Sequence, residues 1–318
     1  MPFFHPSAQV ALVPAGNGMG LGPANQSVRQ ATPKGDYDVM LRFNSNGFRD
    51  TKDLRTAQTN DWFAVGDSFM AGWGVEEEER LSNVFEKRLF ESGNTTRVFN
   101  IAIPDNFIGY QRLVRYAEEK GARIRRMLVG VCMENDLRNY SDGKSAWDVP
   151  GKSALRRVST KERLRGWIRG HSALYNSLSF TLQRWPAARK FFERIGVARN
   201  VDQLSGRNDW DEAALKSSRD ELVKLVHGRE AWILIIPARR LWHGDNIATE
   251  EKVHDAFLRL LQESNLRVVD MRPVLEKGGR PLSYYFITDP HWNARGHALA
   301  ADELFAAISQ HHGTNVTK

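Results

Sequence analysis

Three short stretches of this chain carry the residues that could do chemistry, and each lies where an apolar run stops. "FAVGDS" ends on Gly66-Asp67-Ser68, "MLVGVCMEND" carries Glu134, Asn135 and Asp136, and "YYFITDPHWNARGH" carries Asp289 and His291. A serine hydroxyl is a weak nucleophile at neutral pH and needs a base beside it. His291 can be that base. Asp289, two positions earlier, can reach the same imidazole, fix its tautomer and stabilise its cation. Acyl transfer also needs donors aimed at a developing oxyanion. The Ser68 N–H, at the start of a glycine-rich turn, and the Asn135 side-chain amide are the candidates.

These residues must be brought together by the elements that carry them. "WFAV" (62–65), "VFNIAI" (98–103), "MLVGVC" (127–132), "AWILIIPA" (231–238) and "LRVVDM" (266–271) read as five strands. Between them, apolar residues recur at helical spacing: Leu81, Val84, Phe85 and Leu89, then Tyr110, Leu113, Val114 and Ala117, then Val253, Ala256, Phe257, Leu260 and Leu261. A last helix is expected over roughly 294–309. Short buried strands alternating with amphipathic helices predict a parallel sheet covered on both faces. In such a sheet, ligands bind beyond the carboxyl ends of the strands, which is where all three stretches fall. Residues 1–35 show no useful periodicity and are expected to be irregular. Tyr37, Val39 and Leu41 alternate like a strand, and Asn46-Gly47 signals a turn.

Each candidate also has a plain structural reading. Asp and Ser are favoured in strand-ending turns and helix caps, Asn135 would suit a turn, and Asp289 before Pro290 would suit a helix start. Asp67 is expected to hold the turn through backbone hydrogen bonds rather than act as an acid. His297 lies six residues beyond His291, a spacing that does not share a helical face, so no metal pair is expected. The single cysteine, Cys132, sits inside an apolar strand and reads as a core residue. It excludes an internal disulfide and a cysteine-based zinc site.

Together the three stretches resemble the blocks of the SGNH (GDSL) hydrolase family. "GDSFMAG" is similar to the first block, Asn135 in "END" to the third-block asparagine, and "DPHWNARG" to the fifth, with His291, Asn293 and Gly296 in register. The resemblance covers about residues 60–137 and 231–308, and "NSNGFRD" (44–50) looks like a segment common just upstream of the catalytic domain in bacterial members. It implies a three-layer α/β/α fold with a five-stranded, flavodoxin-like parallel sheet, a Ser68–His291–Asp289 triad, and no cofactor or metal. It implies ester hydrolysis, of O-acetyl groups on carbohydrate. The alternatives are a polysaccharide O-acyltransferase with the same triad and a catalytically silent glycan-binding protein. The chain departs from the family twice. Its fifth block is Asp-x-His-Trp, which resembles the subgroup involved in polysaccharide O-acetylation. Its second block reads Pro104-Asp105-Asn106 where a glycine N–H usually serves the oxyanion, which leaves the N–H groups of Asn106 and Gly109 as alternatives.

The chain is expected to divide into an N-terminal extension (1–58) packed on a catalytic domain (59–318), with a basic helical insertion at about 138–228. Net charge is +7. Residues 152–199 hold twelve Lys/Arg against Glu162 and Glu193, or +10, so the remainder is −3. Trp167, Tyr175, Phe180, Trp185, Phe191 and Phe192 are interspersed among these charges. Such a segment reads first as a solvated helical surface, and the mixture also suits a cap over the active site, an anionic glycan or an anionic membrane surface, whereas no nucleic-acid-binding module is recognisable. The N-terminus does not read as a signal peptide, and no apolar run approaches the ~20 residues of a membrane span. As it stands the chain is expected in the cytoplasm, or in the cell envelope had an upstream segment been removed.

Overall fold

A computed structural model describes residues 10, 12–15, 18–32, 35–148, 211–244 and 246–316. Five parallel strands form the central sheet: β5 (Trp62–Val65), β6 (Val98–Asn100), β7 (Arg126–Cys132), β8 (Glu230–Ile236) and β9 (Arg267–Asp270). Their spatial order is β6-β5-β7-β8-β9, the flavodoxin-like arrangement. The connecting helices are α1 (Leu81–Glu91), α2 (Phe107–Glu119), α3 (Glu212–Val226), α4 (Ile247–Glu263), α5 (Met271–Lys277) and α6 (Ala294–Val316).

The period-2 alternation of a strand explains why the sheet is buried on both sides. Phe63 and Val65 of β5, Met127, Val129 and Val131 of β7, and Ile233 and Ile235 of β8 belong to one core, shared with α2, α3 and α4. Trp62 and Ala64, Leu128 and Cys132, and Trp232, Leu234 and Ile236 belong to a second core, shared with α1, α5 and α6. Trp62, Phe63, Ala64 and Val65 are all 0% exposed, so β5 has no solvent face. Cys132 is the buried core residue its run implied.

From β5 the chain passes to β6 on one side, then crosses to β7 on the other. Such a reversal opens a crevice over the carboxyl end of the strand where it occurs, and β5 leads directly into Ser68. The expected strand 98–103 keeps its path but is regular only over β6. Ile101 and Ile103 still donate to the carbonyls of Ala64 and Gly66, while the Ala102 N–H turns to the Asn100 side chain.

The N-terminal region is more ordered than its composition suggested. Strand β1 (Val13–Pro14) pairs with β2 (Gly20–Leu21), and β3 (Ser27–Ala31) pairs antiparallel with β4 (Asp38–Arg42). Residues 1–35 therefore contain strands that were expected to be irregular. "SVRQA" lacks apolar alternation because it is held by backbone pairing in a two-stranded hairpin. A small core of Val10, Val39, Leu41 and Phe43 packs against Trp73, and Phe48 and Leu54 enter the first sheet core.

Helix α3 lies within the span assigned to the insertion, yet it connects β7 to β8 and packs between α2 and α4. The basic segment 152–199, with its proposed glycan or membrane contact, lies outside the described residues. Among the described helices none is long and apolar enough to cross a membrane.

Candidate active site

Ser68 opens the turn that follows β5. His291 and Asp289 lie on the loop before α6, and Asn135 on the turn after β7. Ser68 Oγ is 2.7 Å from His291 Nε2, and His291 Nδ1 is 2.5 Å from Asp289 Oδ1. The His291 N–H also donates to Asp289 Oδ1, which fixes both ends of this two-residue step. Burial pushes the Asp289 carboxyl up, but bonds from His291 and Tyr37 outweigh it and hold the group below its ordinary value. A hydroxyl on one imidazole nitrogen with a carboxylate on the other can be deprotonated as it attacks.

Asp67 takes the structural role read for it. Its Oδ1 accepts the Phe69 N–H at 2.9 Å and its Oδ2 accepts the Asn135 amide at 2.8 Å. Full burial raises its pKa, opposed by these two bonds. Asn135 is thereby held at the strand edge with one of its two amide protons committed.

The Asn106 and Gly109 alternatives for the oxyanion are corrected here. The Asn106 N–H donates to Asp105 Oδ1 at 2.8 Å, and the Gly109 N–H donates to Asn106 Oδ1, the N-cap of α2. Both are consumed in starting the helix. The N–H groups of Ser68 and Asp105, by contrast, enter no hydrogen bond among the described residues.

Asp289 does not cap a helix through Pro290. Helix α6 starts at Ala294, and Asn293 caps it by accepting from Arg295 and Gly296. His297 is a core residue with both ring nitrogens unpartnered, edge-on to Trp292. Burial pushes its pKa down to about 3, so it stays neutral beside the site. Among the described residues, no group of three His, Cys, Asp or Glu side chains is placed to hold a metal ion.

Sequence reasoning missed several residues that hold this loop. Tyr37 donates to Asp289 Oδ2 at 3.1 Å, and Arg239 donates to the carbonyls of Phe286 and Asp289 at 2.8 and 3.2 Å. Phe69 and Trp73 flank the imidazole, with ring centroids 5.0 and 6.3 Å from it. Nothing in their local sequence marks these contacts. They arise only when distant segments meet.

Asp105 carries a stability prediction. Its Oδ1 accepts from Asn106 and Ala146, while its Oδ2 is buried without a partner. A Cβ at Gly109 would lie 1.8 Å from its carboxyl carbon, so only glycine lets the carboxyl sit there. Burial pushes the group up to about 6 from 3.8. Between these values the folded chain keeps a proton that the unfolded chain releases, so stability falls as pH rises through that window. Asp105→Asn keeps the Oδ1 acceptor and carries no charge. Its stability relative to wild type should climb by about 2–3 kcal/mol between roughly pH 4 and pH 8. Urea unfolding at both pH values measures this, and a pH-independent difference would exclude the buried charge.

The sheet order, with a Gly-Asp-Ser turn at its switch point, defines a three-layer α/β/α fold of the SGNH type. Residues 200–318 match a family model described as the SGNH hydrolase-like domain of acetyltransferase AlgX. The matched span contains Asp289 and His291 but not Ser68. Over that span the chain is similar to an SGNH hydrolase-like domain, and its enzyme class is esterase or O-acyltransferase. Similar solved structures include a lipase/acylhydrolase from Enterococcus faecalis, with 12% identity, TM-score 0.46, and coverage of 79% of this chain and 96% of that one. Others are a member of the lipolytic G-D-S-L family from Veillonella parvula (11%, 0.43, 78% and 98%) and the acetyl xylan esterase AlAXEase (12%, 0.42, 78% and 99%). Comparison with curated proteins gives no match.

Proposed function

We propose that the chain cleaves carboxylic esters, with O-acetyl groups on carbohydrate as the substrate class, through an acyl-enzyme on Ser68. The observation that carries this reading is the Ser68–His291–Asp289 hydrogen-bonded chain. As Ser68 Oγ attacks the ester carbonyl, its proton passes to His291 Nε2. Asp289 stabilises the imidazolium that forms. The oxyanion is met by the Ser68 N–H, the uncommitted proton of the Asn135 amide and the Asp105 N–H. His291 then protonates the leaving alkoxide. In the second half-reaction it takes a proton from water, which attacks the acyl carbonyl, and then returns that proton to Ser68 Oγ as the acid leaves.

The acetyl assignment is supported by the acetyltransferase description of the matching family model. The carbohydrate assignment is supported by Trp73, a half-buried indole beside His291 that offers an apolar face to a sugar ring. The same description favours a second reading, in which a sugar hydroxyl replaces water as acceptor.

A fluorophosphonate probe tests the nucleophile directly. Wild type should take up about one label per chain, in keeping with a single activated serine, and Ser68→Ala none. An unlabelled wild type, or equal labelling of the variant, would remove the enzyme reading and leave the silent binding protein. For a labelled enzyme, added oligosaccharide separates the two acceptors. If it speeds p-nitrophenyl acetate turnover and becomes acetylated, the transferase reading holds; if acetate alone appears, the hydrolase reading holds.

A further inference from the structure

We infer that Asp36 and Tyr37, at the tip of the N-terminal β3–β4 hairpin, are positioning residues that set the triad carboxylate from outside the α/β/α domain. This inference rests on the triad reading above. Residues 285–291 form an irregular loop, and a loop holds a catalytic geometry only when other groups fix it. The hairpin tip supplies such groups. Asp36 Oδ1 accepts the Ile287 N–H at 3.2 Å, and Asp36 Oδ2 accepts the Thr288 N–H at 3.0 Å and the Thr288 hydroxyl. Tyr37 Oη donates to Asp289 Oδ2, the oxygen that His291 does not use.

The tyrosine ring is itself seated. It packs on Phe286 with centroids 5.0 Å apart. Both rings lie over Gly74, where a Cβ would come 2.6 Å from Tyr37 and 2.7 Å from Phe286, and whose φ of +82° suits glycine alone. The glycine-rich turn after the nucleophile is therefore shaped to admit a residue from the hairpin. The Tyr37 pKa is raised by burial and then by the Asp289 charge, so the phenol remains a donor at neutral pH.

The groups facing Asp289 are His291 on its own loop, Tyr37 from the hairpin, and Arg239 from the segment after β8, which reaches its carbonyl, while Asp36 acts on Tyr37 from the same hairpin tip. Asp67 acts on the imidazole from the nucleophile turn. Removing the Tyr37 hydroxyl takes one donor from the carboxylate and raises its proton affinity. That moves the acid limb of the rate profile to higher pH.

Tyr37→Phe, Asp36→Asn, Ser68→Ala and wild type are compared on p-nitrophenyl acetate across pH, with fluorophosphonate labelling rates and melting temperatures alongside. Tyr37→Phe should lower kcat and the labelling rate by roughly threefold to tenfold, leave KM unchanged, and shift the acid limb up by about half a pH unit. Asp36→Asn should lower kcat without that shift, because it loosens the loop and leaves the Tyr37 bond in place. Should Tyr37→Phe not fold, Asp36→Asn carries the test through its labelling rate. If wild type is active, Ser68→Ala is inactive, and the folded hairpin variants match wild type in kcat and pH profile, the inference fails while the triad stands. If wild type neither turns over nor labels, the triad reading fails and this inference goes with it.

Discussion

Ser68→Ala and His291→Ala should each lower ester turnover by roughly 10⁴-fold or more, and the double variant should be no slower than either single one. In the proposed mechanism the two side chains form one device, because the hydroxyl is reactive only while Nε2, 2.7 Å away, can accept its proton. Removing either member then removes the whole nucleophilic route, so their effects would not add. What would survive is catalysis by the proposed backbone and amide donors to the oxyanion, which neither substitution touches. Steady-state turnover of p-nitrophenyl acetate by the three variants measures this, with circular dichroism to establish that each is folded. A double variant slower than the singles by the product of their effects would mean that Ser68 and His291 act independently. Ser68 is partly exposed at the end of the sheet, so its alanine variant leaves no buried charge or large cavity and loses kcat rather than stability, whereas His291→Ala also takes from the Asp289 carboxylate the bond that offsets its burial and should cost some stability as well.

The fold was legible where burial and backbone period coincide. β5, and β7 and β8 beyond their opening Arg126 and Glu230, are apolar because both of their faces are covered, and the helices between them show their buried stripes at 3.6-residue spacing. The serine, histidine and aspartate were legible for a related reason, since reactive side chains at the ends of apolar runs are conspicuous by type. The oxyanion donors were not, because a backbone N–H has no residue type. Whether Gly109 or Asn106 offers one depends on how α2 is capped, and Asn106 and Asp105 decide that by accepting those protons. The hairpin's share of the site was equally hidden. Tyr37 reads as an ordinary strand residue until the fold sets it against Asp289, 252 positions away. "NSNGFRD" was noted only as a recurring flank, and its arginine turns out to reach the turn behind the nucleophile.

That arginine carries the second large effect. Arg49→Met should destabilise the protein by about 3 kcal/mol and lower its melting temperature by roughly 4–6 °C. Arg49 is 2% exposed. Its Nη1 donates to the carbonyls of Ala71 and Gly72 and its Nη2 to that of Val75. These carbonyls belong to the turn that begins at Ser68, whose own carbonyl accepts the Trp73 N–H. Two effects oppose. Burial, with the like charge of Arg80, pushes the Arg49 guanidinium down to about 9, so methionine would relieve a desolvation cost of several kcal/mol. Against this, three buried carbonyls would lose charge-assisted bonds, at about 1–3 kcal/mol each, and only that of Gly72 would keep another donor, the Val75 N–H at 3.3 Å. Methionine fills the volume and supplies no N–H, while Glu77 loses a cation that compensates it. The orphaned acceptors outweigh the relief because a guanidinium meets them through a planar fork that no neighbour can replace. Arg49→Lys separates charge from geometry: an ammonium keeps the charge but does not span three carbonyls, so its loss should be intermediate. Turnover by the folded fraction of Arg49→Met should also fall by about tenfold, because the turn that sets Ser68 against His291 loses its anchor. Urea unfolding at neutral pH reads the stability, and equal midpoints for Arg49→Met and wild type would mean that desolvation and the three bonds cancel.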